Sequence, residues 1–467
     1  MHVYNTLGRA LQSLEPRRTG EVSMYVCGPT VQAAPHLGHG RQAVAFDVIG
    51  RYLVWRGFRV RFVTNITDVE DKIIKAAADE GITAEEVVRR ATAQFLDAYT
   101  RLRVRPPDEL VYATREIPAM ISVVAKLVER GHAYPAGGDV YFSVRSLPAY
   151  GKLSGRNVDD LRAGARIEPG EHKRDPLDFA LWKASKPGEP TWDSPWGPGR
   201  PGWHIECSAM AVARLGFGFD IHGGGLDLMF PHHENEIAQA EGAEGSEPFA
   251  RYWLHNGMLN LRGEKMSKSE GNTVGLLDVL DRYRPEAVRL FYLRAQYRQP
   301  IEFGDDLLVD AEASLGRLWA FRRRIGEVDA SPDSEVIAAF RTAMDEDFNT
   351  AGAMAVLFDA VREGNRLLDS GEDAGPIVAA YDEIVGVLAI GESAADLADL
   401  AGALVPLGAD LGVTGSEPAA IIAGLVAMRG AAREARDFAT SDRIRDELSR
   451  LGLVLEDGAD GTTWHRR

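Results

Sequence analysis

Hydrophobic and polar positions follow two different periods in the first eighty residues of the chain. Residues 22–27 and 59–63 are short, mostly apolar runs, which is typical of strands in a buried sheet. Residues 41–55 and 71–80 instead repeat apolar side chains every three to four positions, the period of an amphipathic helix. This alternation predicts a parallel sheet with helices on its faces and with ligands at the carboxyl ends of its strands.

The later pattern predicts an insertion followed by a helical region. Residues 186–203 are rich in proline, glycine and tryptophan, which predicts an irregular insertion between two halves of the sheet domain. Residues 393–418 resemble a looser connector, part of which could be helical, and a final unit begins at residue 419. The further helices are predicted at 84–104, 113–130, 311–325, 334–345, 350–368, 377–388 and 441–451, and the further strands at 139–144 and 453–455.

Composition restricts the class of protein. A chain of 467 residues is too long for one ordinary core, and 45% hydrophobic with 26% charged residues is typical of a globular protein. The chain does not start with a basic segment followed by an apolar stretch, and no apolar run reaches membrane-spanning length. We therefore expect a cytoplasmic protein without a membrane partner. A net charge of −16 does not favour nucleic-acid binding, but it leaves a local basic track possible.

Two short motifs carry groups suited to ATP phosphates. His36-Leu37-Gly38-His39 lies between the first predicted strand and the first predicted helix, and the start of a helix attracts anions. The motif Lys265-Met266-Ser267-Lys268-Ser269 supplies two ammonium groups, which could neutralise a leaving pyrophosphate. Either motif alone would be a weak signal, whereas the pair in this order is specific.

The only two cysteines are Cys27 and Cys207. A disulfide is not expected in a large cytoplasmic chain, and two buried, inert thiols are the simpler interpretation. His232 and Glu236 lie four positions apart, which places them on one face of a helix, and both are zinc-compatible. Such pairs are more often surface hydrogen bonds. Spacing alone therefore leaves a metal site open.

The two motifs together resemble the signature of class I aminoacyl-tRNA synthetases, and longer stretches resemble the cysteinyl-tRNA synthetase family. The resemblance covers nearly the whole chain. The stretches that carry it are Met24-Tyr25-Val26-Cys27-Gly28-Pro29-Thr30, Asn65-Ile66-Thr67-Asp68, Gly202-Trp203-His204-Ile205-Glu206-Cys207-Ser208-Ala209-Met210, and residues 220–236 and 456–464.

This resemblance implies an α/β fold: a Rossmann-like parallel-sheet catalytic domain with an inserted connective region, then an α-helical bundle and a small C-terminal α+β anticodon-binding domain. The implied boundaries are 1–120 and 201–260 for the two catalytic halves, 121–200 for the insertion, 261–305 for the lysine-loop region, 306–400 for the bundle, and 401–467 for the connector and C-terminal domain.

The resemblance also implies the site. One zinc ion would be held by Cys27, Cys207, His232 and Glu236, and by binding the substrate thiolate it would select cysteine over serine without an editing domain. His204, His222 and His233 either orient these ligands or are ordinary buried polar groups. The implied cysteine pocket comprises Cys27, Gly28, Thr67, Trp203 and Asp227. The implied ATP site comprises His36, Gly38, His39, Lys265 and Lys268, of which the histidines and lysines are catalytic.

The implied function is ligation of L-cysteine to its tRNA through a cysteinyl-adenylate, with ATP and Mg²⁺. A monomer is expected. Arginines between residues 433 and 450 could contact RNA, but interleaved acids make a solvated, salt-bridged face the default interpretation. Two alternatives are a cysteine:amino-sugar ligase of thiol biosynthesis, which would lack the C-terminal part, and a non-catalytic zinc- or RNA-binding paralogue, which should have lost the phosphate-handling groups.

Overall fold

The computed structural model describes residues 1–158, 172–261, 264–265, 273–326, 328–392, 400–458 and 461–466. The chain divides into two compact units. The first unit comprises Met1–Val309, Glu335–Leu357 and Val387–Ala389, and the second comprises Asp310–Ser334, Phe358–Gly386 and Ile390–Arg467.

The strands are β1 (His2–Asn5), β2 (Ala10–Ser13), β3 (Glu21–Val26), β4 (Arg59–Ile66), β5 (Glu109–Tyr112), β6 (Ala133–Ala136), β7 (Asp139–Phe142), β8 (Phe179–Ala184), β9 (Gly199–Pro201), β10 (Phe219–Gly225), β11 (Ala250–Asn256), β12 (Leu259–Leu261), β13 (Glu264–Lys265), β14 (Ile301–Phe303), β15 (Leu453–Gly458) and β16 (Gly461–Arg466).

The α-helices are α1 (Leu37–Trp55), α2 (Asp71–Glu80), α3 (Ala84–Arg101), α4 (Ile117–Glu129), α5 (Trp203–Leu215), α6 (Glu234–Glu244), α7 (Leu276–Leu280), α8 (Pro285–Leu293), α9 (Asp305–Arg323), α10 (Ser334–Asp345), α11 (Thr350–Ser370), α12 (Gly375–Leu388), α13 (Ala401–Leu411), α14 (Pro418–Glu434) and α15 (Phe438–Arg450). Short helical turns also occur at Ala113–Arg115, Val144–Ser146 and Leu226–Leu228.

A five-stranded parallel sheet forms the centre of the first unit. Its strand order is β11-β10-β3-β4-β5, and every neighbouring pair is parallel. The register places Met24 of β3 between Ile221 of β10 and Phe62 of β4. The predicted parallel sheet is confirmed. Because all five strands run the same way, the residues that follow them meet at one edge.

Helices cover both faces of this sheet. On one face, α4, α5 and α6 enclose a core with inward-facing sheet residues such as Tyr25, Val63 and Trp253. On the other face, α1 lies so close to β10 that a Cβ atom on Gly223 would come within 2.3 Å of the Phe46 ring. Glycine at this position therefore permits the close approach of helix and strand.

Between β5 and β10 the chain forms a separate antiparallel sheet, with the order β6-β7-β8-β9. Residues 186–203, expected to be irregular, contain β9 and the first residue of α5. The sheet lies within the part of the sequence expected to be an insertion. The boundaries of the six predicted segments stay predictions.

Helix and strand bounds differ from the expectation mainly at their ends. The first helix begins at Leu37 rather than at residue 41, because His36 caps it. The second strand continues to Ile66 instead of ending at residue 63. The predicted helix at 113–130 is divided into a short turn and α4, which has a proline near its start. A helix start capped by histidine is harder to locate from sequence than one capped by Ser, Thr, Asp or Asn.

The second unit is helical, with the hairpin β15–β16 close to its end. Within the expected connector over 393–418, the part that could be helical is residues 401–411, which form α13 despite Pro406, while 393–399 lie outside the described residues. Pro418–Glu434 forms α14, which the pattern did not single out. Alanine-rich helices of this kind lack a strong amphipathic period, although alanine favours helix. Within the described part of the chain, no helix is both long and apolar enough to span a membrane.

Candidate metal centre and phosphate site

Four side chains with metal-binding atoms converge at the carboxyl edge of the parallel sheet. Cys27 directly follows β3, and Cys207 lies in α5. Glu236 lies in the first turn of α6, and His232 comes from the kinked turn before it. Their candidate ligand atoms all lie within 4.8 Å of one another, and each residue is buried. The structure thus brings together the four residues that the resemblance implies as zinc ligands.

Glu236 makes polar contacts with several neighbours in this cluster. Its Oε1 lies 3.0 Å from His232 Nε2 and 3.3 Å from Cys27 Sγ. Its Oε2 lies 2.8 Å from His222 Nε2. Burial raises the pKa of Glu236, but the charges and hydrogen bonds of His222 and His232 outweigh burial and hold this pKa well below its usual value. The carboxylate is therefore ionised although it is fully buried.

The two thiols differ in acidity. Burial raises the pKa of Cys27 well above its usual value. Hydrogen bonding with Cys27, aided by His232, lowers the pKa of Cys207 to about 6 although burial opposes it. Burial also lowers the pKa of His232, but Glu236 and Cys207 together raise it to about 10. A buried thiolate beside a buried carboxylate is an arrangement that a divalent cation stabilises.

The chemistry of the donors fits zinc. Two sulfur atoms, one imidazole nitrogen and one carboxylate oxygen are all established zinc donors, and thiolate sulfur favours zinc over Mg²⁺ or Ca²⁺. A second quartet, formed by Cys27, His222, His233 and Glu236, also satisfies the 4.8 Å limit. It contains only one thiol and omits Cys207. The first quartet is therefore the better match to zinc.

Further histidines support this cluster. His204 Nδ1 lies 2.9 Å from His232 Nδ1, and His222 contacts Glu236. The sequence left open whether such histidines orient ligands or are ordinary polar groups. Because His204 and His222 contact candidate ligands directly, they restrict how those side chains can rotate.

His233 and His255 extend the contacts to the first strand region. His233 Nδ1 lies 2.8 Å from His255 Nε2, and His255 Nδ1 lies 2.8 Å from Thr6 Oγ1. Burial lowers the pKa of His255 to about 3, so its ring is neutral. His255 could not be singled out from the sequence, because a single histidine near the end of an apolar strand carries no spacing signal.

The implied cysteine pocket is only partly assembled around the metal cluster. The Trp203 ring stacks on the His232 ring, with centroids 4.2 Å apart. Thr67 follows the end of β4, and its hydroxyl donates to Glu206 Oε2 over 2.9 Å. A Cβ atom on Gly28 would lie 1.6 Å from Asn65 O, so only glycine fits there. Asp227 is different, because it is exposed in the turn after β10.

Asn65 and Glu206 belong to the stretches that resemble the family, but the sequence alone assigns them no role. Both are fully buried, and burial and the Cys207 charge raise the pKa of Glu206 well above its usual value. Glu206 Oε1 has no hydrogen-bond partner among the described residues. An acidic residue beside a cysteine on an otherwise apolar helix face was the signal that could have identified Glu206.

The first histidine motif forms the start of α1. His36 Nδ1 accepts a hydrogen bond from the Gly38 N–H over 3.1 Å, and His39 Nδ1 accepts from the His36 N–H over 3.1 Å. The two rings stack with centroids 3.7 Å apart. No acidic side chain lies in the first turn of this 19-residue helix. The positive end of the helix dipole is therefore not neutralised by a first-turn carboxylate, which suits an anion at the start of α1.

The chain on either side of the lysine motif pairs with other backbone segments. Lys265 belongs to β13, which pairs with β12. After the motif, Gly275 pairs with His36, and the Leu37 N–H donates to Val274 O over 3.1 Å. Lys268 lies outside the described residues, as does the side chain of Lys265. The chain that leaves the lysine motif thus lies directly beside the first motif.

Comparisons with known proteins agree with this geometry. Residues 13–313 match the family "tRNA synthetases class I (C) catalytic domain", and residues 339–413 match the "DALR domain". The cysteine–tRNA ligases of Alkalilimnicola ehrlichii and Syntrophotalea carbinolica are 52% and 48% identical to this chain. Each match covers the full length of this chain and of the relative.

Solved structures show the same fold. Mycobacterium tuberculosis methionyl-tRNA synthetase, in complex with methionyl-adenylate, matches with a TM-score of 0.58 over 80% of this chain and 90% of its own, at 17% identity. At this low identity the similarity shows the fold, and the more similar sequence relatives show the family. With its parallel sheet, both signature motifs and full-length similarity, this chain belongs to the cysteine–tRNA ligase family of class I aminoacyl-tRNA synthetases.

Proposed function

We propose that this protein ligates L-cysteine to its tRNA in two steps. The cysteine carboxylate first attacks the α-phosphate of ATP, giving cysteinyl-adenylate and pyrophosphate. The cysteinyl group then passes to the terminal adenosine of the tRNA. The observation that carries the proposal is the convergence of Cys27, Cys207, His232 and Glu236 at the sheet edge that also holds the start of α1.

Zinc held by these four residues would supply a soft Lewis acid that binds a thiolate far better than an alcohol. Cysteine and serine differ by one atom, and an apolar pocket separates such substrates by only about 1–3 kcal/mol. The donor set thus supports selection by sulfur chemistry rather than by size. Trp203, stacked on His232, closes one side of this site.

Activation needs positioning and charge stabilisation more than acid–base chemistry. His36 and His39 would hydrogen-bond the ATP phosphates at the start of α1, where the helix dipole favours an anion. Lys265 and Lys268 would stabilise pyrophosphate as it leaves, with Mg²⁺ bound to ATP. The pairing of Gly275 with His36 supports this role, because it places the chain that follows the lysine motif beside the start of α1.

Transfer requires tRNA. The C-terminal region, residues 401–467, would recognise the anticodon, and the helical region before it would contact the intervening stem. The DALR domain match over residues 339–413, which covers much of that helical region, supports a role in tRNA binding. Arg443, Arg445 and Arg450 each form an ion pair with a neighbouring carboxylate. Contacts from these three side chains therefore do not support the proposal. A cytoplasmic monomer remains the expected state.

The test is cysteine-dependent ATP–pyrophosphate exchange together with transfer of radiolabelled cysteine to total tRNA. We expect both activities from the zinc-loaded protein. Exchange without transfer would contradict tRNA ligation and favour the cysteine:amino-sugar ligase. Zinc binding without exchange would favour a non-catalytic paralogue.

A further inference from the structure

Residues 150–156 form a loop that packs against the turn carrying His232. This loop lies after β7, in the segment 121–200 that was expected to be an insertion. The turn it contacts is irregular, because the backbone angles of Phe230 (φ −143°, ψ 130°) are not helical. A regular helix holds its own backbone through hydrogen bonds, whereas this turn needs restraint from its neighbours.

Glu234, two positions after His232, makes the central contact with loop 150–156. Its side chain is buried, and its carboxylate accepts three hydrogen bonds from the backbone of the loop. Oε1 accepts from the Gly151 N–H over 3.0 Å and from the Leu153 N–H over 3.3 Å. Oε2 accepts from the Ser154 N–H over 2.7 Å. Both carboxylate oxygens are therefore occupied by groups that can only donate.

These hydrogen bonds require a carboxylate at position 234. Glutamine has nearly the same shape, but its NH₂ group can only donate. Whichever way a glutamine amide is turned, its NH₂ group would face at least one backbone N–H of the loop. Replacement of Glu234 by glutamine should therefore detach part of the loop with little change in packing volume.

Two further contacts hold the same turn on both sides of His232. Before it, the guanidinium of Arg156 lies 4.4 Å from the centre of the Phe230 ring. After it, the Tyr150 hydroxyl donates to Asn235 Oδ1 over 2.6 Å. Loop 150–156 thus contacts the chain on either side of one candidate metal ligand, and the second of these contacts directly precedes the ligand at position 236.

Metal affinity depends on how well the ligands are held in place by the residues around them. We infer that Glu234 is a positioning residue, which joins loop 150–156 to the turn carrying His232 and so couples metal binding to the conformation of this loop. Such coupling is reciprocal: the factor by which the attached loop strengthens zinc binding is the factor by which zinc stabilises the attached loop. The inference rests on the proposed function only through its zinc site.

The affinity for zinc tests one half of this coupling. The dissociation constant of zinc is measured on the full-length protein by competition with a chromophoric chelator. We expect Glu234→Gln to weaken zinc binding about 10-fold to 100-fold, the usual effect of losing a residue that supports a metal ligand. Tyr150→Phe, which removes one hydrogen bond, should weaken it about 3-fold to 10-fold. Glu244→Gln makes the same change of charge at the last residue of α6 and should match the parent.

Hydrogen–deuterium exchange tests the other half. Exchange is followed by mass spectrometry on peptides that cover loop 150–156, in zinc-loaded and zinc-stripped protein. In the parent, zinc should slow exchange of the Gly151, Leu153 and Ser154 amides by about the factor that Glu234→Gln loses in zinc affinity. In Glu234→Gln, zinc should have little effect on these amides. The neighbouring strands β7 and β8, whose residues do not contact Glu234 in these hydrogen bonds, serve as the internal reference.

Unchanged zinc affinity in both variants would overturn the inference, as would exchange in the parent's loop that does not respond to zinc. A lower free energy of unfolding with unchanged zinc affinity would also overturn it, because a merely structural role predicts that result. If Glu234→Gln does not fold, Tyr150→Phe and the exchange of the parent still decide. A parent that binds no zinc would contradict the metal centre of the proposed function, whereas zinc bound equally tightly by parent and variants would contradict only this inference.

Discussion

Cys27 Sγ lies 3.3 Å from Glu236 Oε1, although 209 positions separate the two residues in the chain. The sheet topology explains this proximity. β3, which precedes Cys27, is the direct neighbour of β10, and the chain passes from β10 through a turn into α6. The candidate metal centre is therefore built where the two halves of the parallel sheet meet, and it depends on their pairing.

Removing one ligand should remove the metal. We expect Cys207→Ser and His232→Ala to lower zinc from one ion per chain to a small fraction, because a three-donor site without its thiolate or imidazole binds zinc much more weakly. The measurement is elemental analysis after dialysis. His172→Ala, which changes an exposed histidine elsewhere, is the control. Full zinc retention by Cys207→Ser would contradict the ligand set.

Replacement of Lys268 should slow activation without affecting cysteine binding. By analogy with the loss of one transition-state donor, Lys268→Ala should lower the single-turnover rate of adenylate formation by about 100-fold to 1000-fold. Lys75→Ala serves as the control, since Lys75 is an exposed lysine paired with Asp79 on α2. An unchanged rate would show that the lysine motif does not stabilise the transition state.

The capping and phosphate roles of His36 can be separated. His36→Ala should destabilise the protein by about 1 kcal/mol because it removes the cap of α1, whereas His36→Asn should retain most of that stability. Both variants should lose activation rate, since neither keeps the imidazole. Urea denaturation and pyrophosphate exchange measure the two effects. A fully active His36→Asn variant would contradict the phosphate role and leave His36 only its role as a helix cap.

Asp47 and Arg289 form a buried ion pair, with 2.7 Å between Asp47 Oδ2 and Arg289 Nη2. Burial raises the pKa of Asp47, but Arg289 and Arg51 outweigh it and lower this pKa below its usual value. Asp47→Asn should cost about 3–5 kcal/mol at pH 7, because it leaves a guanidinium buried without a counter-charge. Asp79→Asn, in an exposed pair, should cost less than about 1 kcal/mol.

The same pair sets a pH dependence. Because the folded-state pKa of Asp47 is lowered, its contribution is present above the unfolded-state pKa and is lost as the pH falls through the folded value. The difference in unfolding free energy between the parent and Asp47→Asn should thus shrink below about pH 4. A difference that stays constant down to pH 3 would contradict the ionised pair.

The parallel sheet and the first histidine motif could be predicted from the sequence for physical reasons. Strands of a parallel sheet are rich in apolar residues, and β3 and β4 show this at Met24-Tyr25-Val26 and Phe62-Val63. The proximity of Cys27 and Cys207 could not be predicted in this way, because no local sequence spacing indicates a contact between the two halves of the sheet domain. Only the family resemblance connected them before the structure did.

The polar contacts around the site could not be predicted from the sequence. Asn65 and Glu206 both hydrogen-bond to Thr67, although Glu206 is 139 positions from Thr67 in the chain. His255 likewise contacts His233 across the site. Sequence patterns report burial and period, but they do not report which buried polar atoms face each other.

The most direct test of the account is charging of total tRNA by the zinc-loaded protein with radiolabelled cysteine and, in parallel, with serine. We predict charging by cysteine, none by serine, and loss of cysteine charging in Cys207→Ser together with its zinc. Serine charging at a comparable rate, or cysteine charging that persists without zinc, would contradict selection of the substrate through its thiolate.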